Sequence, residues 1–140
     1  MTYDILPRWH KSVQEIPEHS WKILLGDNTI PFFEWQWLTL LETSESICAK
    51  QGWQPLHLAL WRKNNPIAIA PLYLKNHSYG EFIFDQLFYQ LAEDLGLRYY
   101  PKLLGMTPLS PVEGYRFFCA PGENEIELTS IMIDIIDNFA

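Results

Sequence analysis

The sequence predicts an α/β layout in which helices cover a mixed, largely antiparallel sheet, and three observations carry that prediction. Leu56, Leu58 and Leu60 alternate with His57, Ala59 and Trp61; after the turn Arg62-Lys63-Asn64-Asn65-Pro66 an apolar run returns through Leu74, which is the pattern of a hairpin. Phe84, Leu87, Phe88, Leu91 and Leu95 recur at helical spacing and predict one buried stripe, ended by Gly96. Leu128, Ile131, Met132, Ile135, Ile136 and Phe139 repeat that spacing near the end of the chain. The order strand, helix, helix, hairpin, helix, strand, strand, helix follows, an arrangement of helices on a sheet.

Taken in order, residues 3–11 predict an opening strand whose ladder Pro7 confines to an edge or to one side of the proline, because proline has no N–H to give. Pro17 suits the first turn of a short helix, EHSWKILL, with Trp21, Leu24 and Leu25 inward and Gly26 at its end. Residues 33 to about 50 predict a longer helix with Trp37, Leu38, Leu41, Ile47 and Cys48 on its buried side. The aromatic run Phe32-Phe33-Glu34-Trp35-Gln36-Trp37 reads first as core contact, with ligand stacking as the second reading. Past the hairpin and the 84–95 helix, residues 100–106 and 115–119 predict two strands, separated by a loop shaped by Pro108, Pro111 and Gly114. The last helix starts near Glu123, where Glu125 and Glu127 complement the positive end of its dipole.

Composition bounds the function. At 140 residues and 48% hydrophobic, 15% aromatic, the chain suits one globular domain over 1–140. A net charge of −7 argues against DNA or other sequence-independent nucleic-acid binding, which needs basic surface. Cys48 and Cys119 form no CxxC pair, the N-terminal stretch lacks the apolar core of a signal peptide, and no apolar run is long enough to span a bilayer. A cytoplasmic protein is the expectation. His10, His19, His57 and His77 show no metal-ligand spacing, and Ser78, Ser110 and Cys119 lie in no nucleophile motif. His57, on one face of a strand, reads as a structural histidine.

Chemistry concentrates around the 84–95 helix. Before it stands APLYLKNHSYGEFIFD (70–85), after it GLRYYPKLL (96–104), and both are rich in Tyr, Lys, Arg and acidic residues. These two strings resemble a bacterial family of peptidoglycan biosynthesis or recognition proteins, placed in the GNAT acyltransferase superfamily near the Fem-type aminoacyl transferases. The resemblance implies a GNAT-like sheet flanked by helices, incomplete relative to a full GNAT unit, with the chain as a fragment or truncated member. Its partner is then the missing second GNAT-like half or a second copy of the chain. It further implies acyl or aminoacyl transfer to an amine, such as a muropeptide-like cell-wall precursor, by a half that is not expected to be competent alone. Acyl-CoA or aminoacyl-tRNA are the donors it offers, and no cofactor is fixed. The rival reading is a non-catalytic recognition or dimerisation module.

For such a reaction Glu81 and Asp85 are the candidate catalytic carboxylates, since aminoacyl transfer needs a neutral amine and a group to accept its proton. Lys75, Arg98 and Lys102 are candidates to hold an anionic substrate, and Ser78, Tyr79, Tyr99 and Tyr100 to line its pocket. Each has a plain reading as well: Glu81 as a solvated loop acid, Asp85 as a first-turn helix charge, Arg98 and Lys102 as surface cations. The region where acetyl-CoA-dependent GNAT enzymes carry a glycine-rich pyrophosphate loop is here Arg116 to Glu123, with one glycine, one proline and trailing acids, a poor set of N–H donors.

Overall fold

In the computed structural model, which describes residues 4–27, 31–76, 86–98, 100, 102–106 and 115–139, the predicted hairpin is the centre of the sheet. Strand β3 (His57–Arg62) pairs antiparallel with β4 (Asn65–Ala70) through a two-residue connection in which Lys63 adopts the left-handed φ of 58°. The register shifts between Leu60 and Trp61, so Ile67 is the extra residue of a bulge. Strand β1 (Ile5–His10) lies outside β3 and β7 (Phe118–Cys119) outside β4, giving the order β1-β3-β4-β7. Pro7 is tolerated because β1 is an edge.

The return strand does not run through to Leu74 as one piece. Pro71 has no N–H to continue the ladder, and the chain turns there into a second sheet made of β2 (Trp53–Pro55), β5 (Tyr73–Lys75) and β6 (Lys102–Leu104), in the order β2-β5-β6. At this corner the Leu72 N–H donates to Nδ1 of His57 at 3.1 Å, and the Leu56 N–H donates to the Leu72 carbonyl at 3.0 Å. The expected single mixed sheet is therefore two sheets, and every pairing among the described residues is antiparallel.

Helices cover both faces of the larger sheet. Helix α1 (Glu18–Leu25) and helix α2 (Trp35–Thr43) pack Trp21, Leu24 and Leu38 against Ala59, Trp61, Ile69 and Phe118. On the opposite face α4 (Glu125–Phe139) sets Leu128 and Met132 against Leu58, Leu60, Ala68 and Ala70. Strict alternation along β3 sends its side chains to the two layers in turn, and all of 57–61 are buried. Asn124 caps α4 by accepting the Glu127 N–H at 3.1 Å, and Phe139 at its far end meets Trp9 with ring centroids 4.8 Å apart.

Two helix predictions need correction. Helix α2 stops at Thr43 instead of continuing to about 50, because the Thr43 and Ser44 hydroxyls donate back to Leu40 and Leu41 carbonyls and Glu45 turns left-handed at φ 62°. Trp37, expected inside, is 37% exposed, and Cys48 is only half-buried. Helix α3 (Gln86–Asp94) forms as predicted and ends at Gly96 (φ 72°), but its apolar stripe is not buried: Leu87, Phe88, Leu91 and Leu95 are 82, 65, 54 and 63% exposed. Amphipathic spacing reports that a face is apolar, not that the same chain covers it. Phe84, the first residue of that stripe, lies outside the described residues.

Close approach fixes one more contact. A Cβ placed on Gly105 would come within 2.8 Å of the Tyr115 ring, whose hydroxyl donates to the Pro71 carbonyl. Burial holds that phenol well above its usual range, so it stays a donor. Gly105→Ala is expected to displace Tyr115 and cost about 1–3 kcal/mol by overpacking, read as a lower urea midpoint with unchanged slope.

Candidate functional site

The smaller sheet brings two of the three expected cations, Lys75 and Lys102, side by side. In its register Trp53, Lys75 and Lys102 are direct neighbours across β2, β5 and β6, followed one pleat along by Pro55, Tyr73 and Leu104. Side chains two residues apart in a strand share a face, so Tyr73 and Lys75 point the same way, as do Lys102 and Leu104. The result is a row of two ammonium groups bracketed by aromatic rings. Lys75 Nζ sits 4.1 Å from the Trp53 ring centroid and Lys102 Nζ 5.4 Å from that of Tyr100. Ring quadrupoles favour cations so placed, whereas two like charges directly opposite across a ladder disfavour each other.

Lys75 was expected just beyond the return strand. It lies instead inside β5 and is fully buried, whereas Lys102 and Tyr100 are half-buried. Arg98 is exposed. Of the remaining candidates, Ser78, Tyr79, Glu81, Asp85 and Tyr99 lie outside the described residues. Trp53 and Tyr73 belong to the same face and were not singled out from sequence, since nothing in the chain order announces that residues 53, 75 and 102 become neighbours.

Behind the row is a buried aromatic and histidine cluster. His57 makes edge contacts with Tyr73 at 5.3 Å and Trp21 at 6.1 Å between centroids, and Trp53 meets Tyr73 at 5.3 Å. Because His57 Nδ1 accepts from Leu72, its proton sits on Nε2, which has no hydrogen-bond partner. Burial, then the neighbouring His10, pull the His57 pKa down to about 3. His10 is its partner in the β1–β3 register and holds the opposite tautomer, with Nε2 accepting from Trp61 Nε1 at 3.0 Å and Nδ1 facing Glu15 at 3.3 Å. His57 is thus a buried imidazole with Nδ1 bonded and Nε2 without a partner among the described residues.

Elsewhere the polar chemistry is architectural. Glu42 accepts the Ser12 hydroxyl at 2.6 Å and the Val13 N–H at 2.9 Å, tying α2 to the segment after β1. In the region 116–123 the Ala120 N–H is taken by the Ile67 carbonyl, the Glu123 N–H by the Ala120 carbonyl, and the Glu123 carboxylate by Arg62 at 2.8 and 2.9 Å. Those amides are spent inside the protein. Concavities of about 490 Å³ beside Phe32, Trp37 and Leu40 and about 430 Å³ beside Ile126 and Ile133 do not touch the cationic row. Among the described residues no group of three or more His, Cys, Asp or Glu could hold a metal, and no helix is long and apolar enough to cross a membrane.

Among the described residues the fold is mixed α/β, with two antiparallel sheets, four α-helices and a pair of lysines flanked by aromatic rings on the smaller sheet. Over residues 12–140 the chain matches the model of the FemAB-like family, described as peptidoglycan biosynthesis/recognition, and it belongs to that family. No curated protein and no solved structure matches the chain. Membership implies a peptidoglycan-related, aminoacyl-transferase-like role.

Proposed function

We propose that this chain is a GNAT-like half of an aminoacyl transferase that modifies an amine on a cell-wall precursor. The observation that carries the reading is the cross-strand pair Lys75 and Lys102 between Trp53 and Tyr100, on a chain of a peptidoglycan-related family. In this proposal Lys102 and Tyr100 contact the anionic part of a muropeptide-like substrate, and Lys75 deepens the positive potential beneath it. Arg98 extends the contact, and Ser78, Tyr79 and Tyr99 complete the pocket. Glu81 and Asp85 are the carboxylates assigned to receive a proton from the substrate ammonium.

The amine nitrogen then forms a bond to the acyl carbon while the bond from that carbon to the donor oxygen or sulfur breaks. The donor leaves as alcohol or thiol once it gains a proton. Aminoacyl-tRNA supplies the first kind of donor and acyl-CoA the second. The competing reading, a recognition module without chemistry, binds the same precursor and turns none over.

Calorimetric titration with a soluble muropeptide tests the reading. Binding is expected to weaken with salt, as screening demands, and Lys102→Met is expected to lower affinity about 10-fold or more, the worth of one charge-assisted contact. Binding that ignores both salt and Lys102→Met overturns the site. Precursor that binds normally but is never acylated with either donor supports the recognition module.

A further inference from the structure

We propose that α3 is a self-association helix, and that two copies of this chain pair through it about a two-fold axis passing beside Leu91. The proposal starts from an anomaly: α3 leaves Leu87, Phe88, Leu91 and Leu95 between 54 and 82% exposed along a single stripe. Apolar side chains scattered over a surface need no explanation, but four gathered on one helix face do.

Spacing selects the partner. Leu87, Leu91 and Leu95 stand four residues apart, one of the ridges by which a helix seats in the groove of another. A two-fold interface puts residue i on j and j on i, so the pattern must read the same in both directions. Centred on Leu91 the three leucines do, because an antiparallel pair sets Leu87 of each copy against Leu95 of the other and Leu91 against itself, with Phe88 of each copy at the level of Asp94 of the other. Charge agrees with that direction. Glu93 and Asp94 lie in the last turn, so antiparallel pairing carries the two acidic ends apart, while parallel pairing would stack them.

Area is sufficient as well. The four side chains leave on the order of 500 Å² of apolar surface on each copy, so the pair covers on the order of 1,000 Å², the lower bound for a specific contact and typical of a reversible dimer. This inference does not depend on the transferase reading, since it uses the outer face of α3 and no residue of the cationic row.

The test is sedimentation of the full chain over a wide concentration range, with cross-linking. A reversible dimer is expected, weakened about 100-fold or more by Leu91→Glu, which sets two carboxylates face to face on the axis. Since Leu91 is more than half exposed, Leu91→Glu keeps the native circular dichroism spectrum. In a Cys48→Ser, Cys119→Ser background, Leu91→Cys is expected to oxidise to a disulfide with its own copy, and Gln90→Cys, about 100° round the helix, is not. A chain that stays monomeric at every concentration overturns the proposal, as does a dimer indifferent to Leu91→Glu. So does a monomer that instead co-sediments with phosphatidylcholine vesicles through the same residues.

Discussion

Acidification is expected to destabilise this chain by up to about 5 kcal/mol through His57 alone, the free-energy equivalent of its displaced pKa. The folded-state value, about 3, lies below the ordinary 6.5, so on acidification the unfolded chain takes up a proton that the folded chain refuses. Stability from this group is intact above about pH 6.5 and drains away as pH falls toward 3. The cause is burial first, then the neighbouring His10. Protonating Nδ1 would turn the acceptor of the Leu72 N–H into a donor, leaving two donors facing each other at the corner where the sheets part, in a fully buried site. Urea midpoints at pH 7.5, 5.5 and 4 measure it. His57→Gln, whose amide oxygen still accepts an N–H, is expected to start lower at pH 7.5 and to flatten the acid limb. If wild type and variant lose the same stability on acidification, His57 is not the titrating group.

A second large effect separates the structural and binding roles of the cationic row. Trp53 is 1% exposed and packs on Tyr73 while its ring seats the Lys75 ammonium, so Trp53→Ala opens a cavity and is expected to cost about 3–5 kcal/mol. Lys75→Met keeps an unbranched apolar stem in the same space but takes a fully buried cation from the groups around it, so it is expected to cost about 1–3 kcal/mol, less than Trp53→Ala. Its effect on an anionic ligand should be large, because the positive potential under Lys102 falls. Denaturation curves and muropeptide titrations on the same two variants decide the matter. A Lys75→Met chain that binds as wild type removes Lys75 from the site, and one that unfolds like Trp53→Ala makes it a structural cation.

Much of the fold was legible in the sequence because local patterns reported it. The hairpin at 57–70, the helix over 18–25 with Gly26 behind it, and the final helix each follow from side-chain period and termination chemistry. What could not be read depends on contacts between distant residues. The split into two sheets needs Pro71 to stop one ladder and His57 to receive the stranded Leu72 N–H, a bond spanning fifteen residues. The stripe on α3 has the same period whether its cover comes from this chain or from another. As for the site, the lysines and tyrosines flanking α3 stood out by residue type, but their arrangement is a matter of register. Trp53 becomes the neighbour of Lys75 only once β2 and β5 pair, and Lys75 of Lys102 only once β5 and β6 do.

The edges of the larger sheet have a bearing on how copies of this chain meet. A bare strand edge invites another strand, which is the route to open-ended aggregates. Here one edge is β1, where Pro7 withholds a donor and Arg8 adds charge on an exposed stretch, and the other is β7, only two residues long. Both margins are blunted against strand addition. Growth by edge-to-edge stacking at this sheet is thereby discouraged.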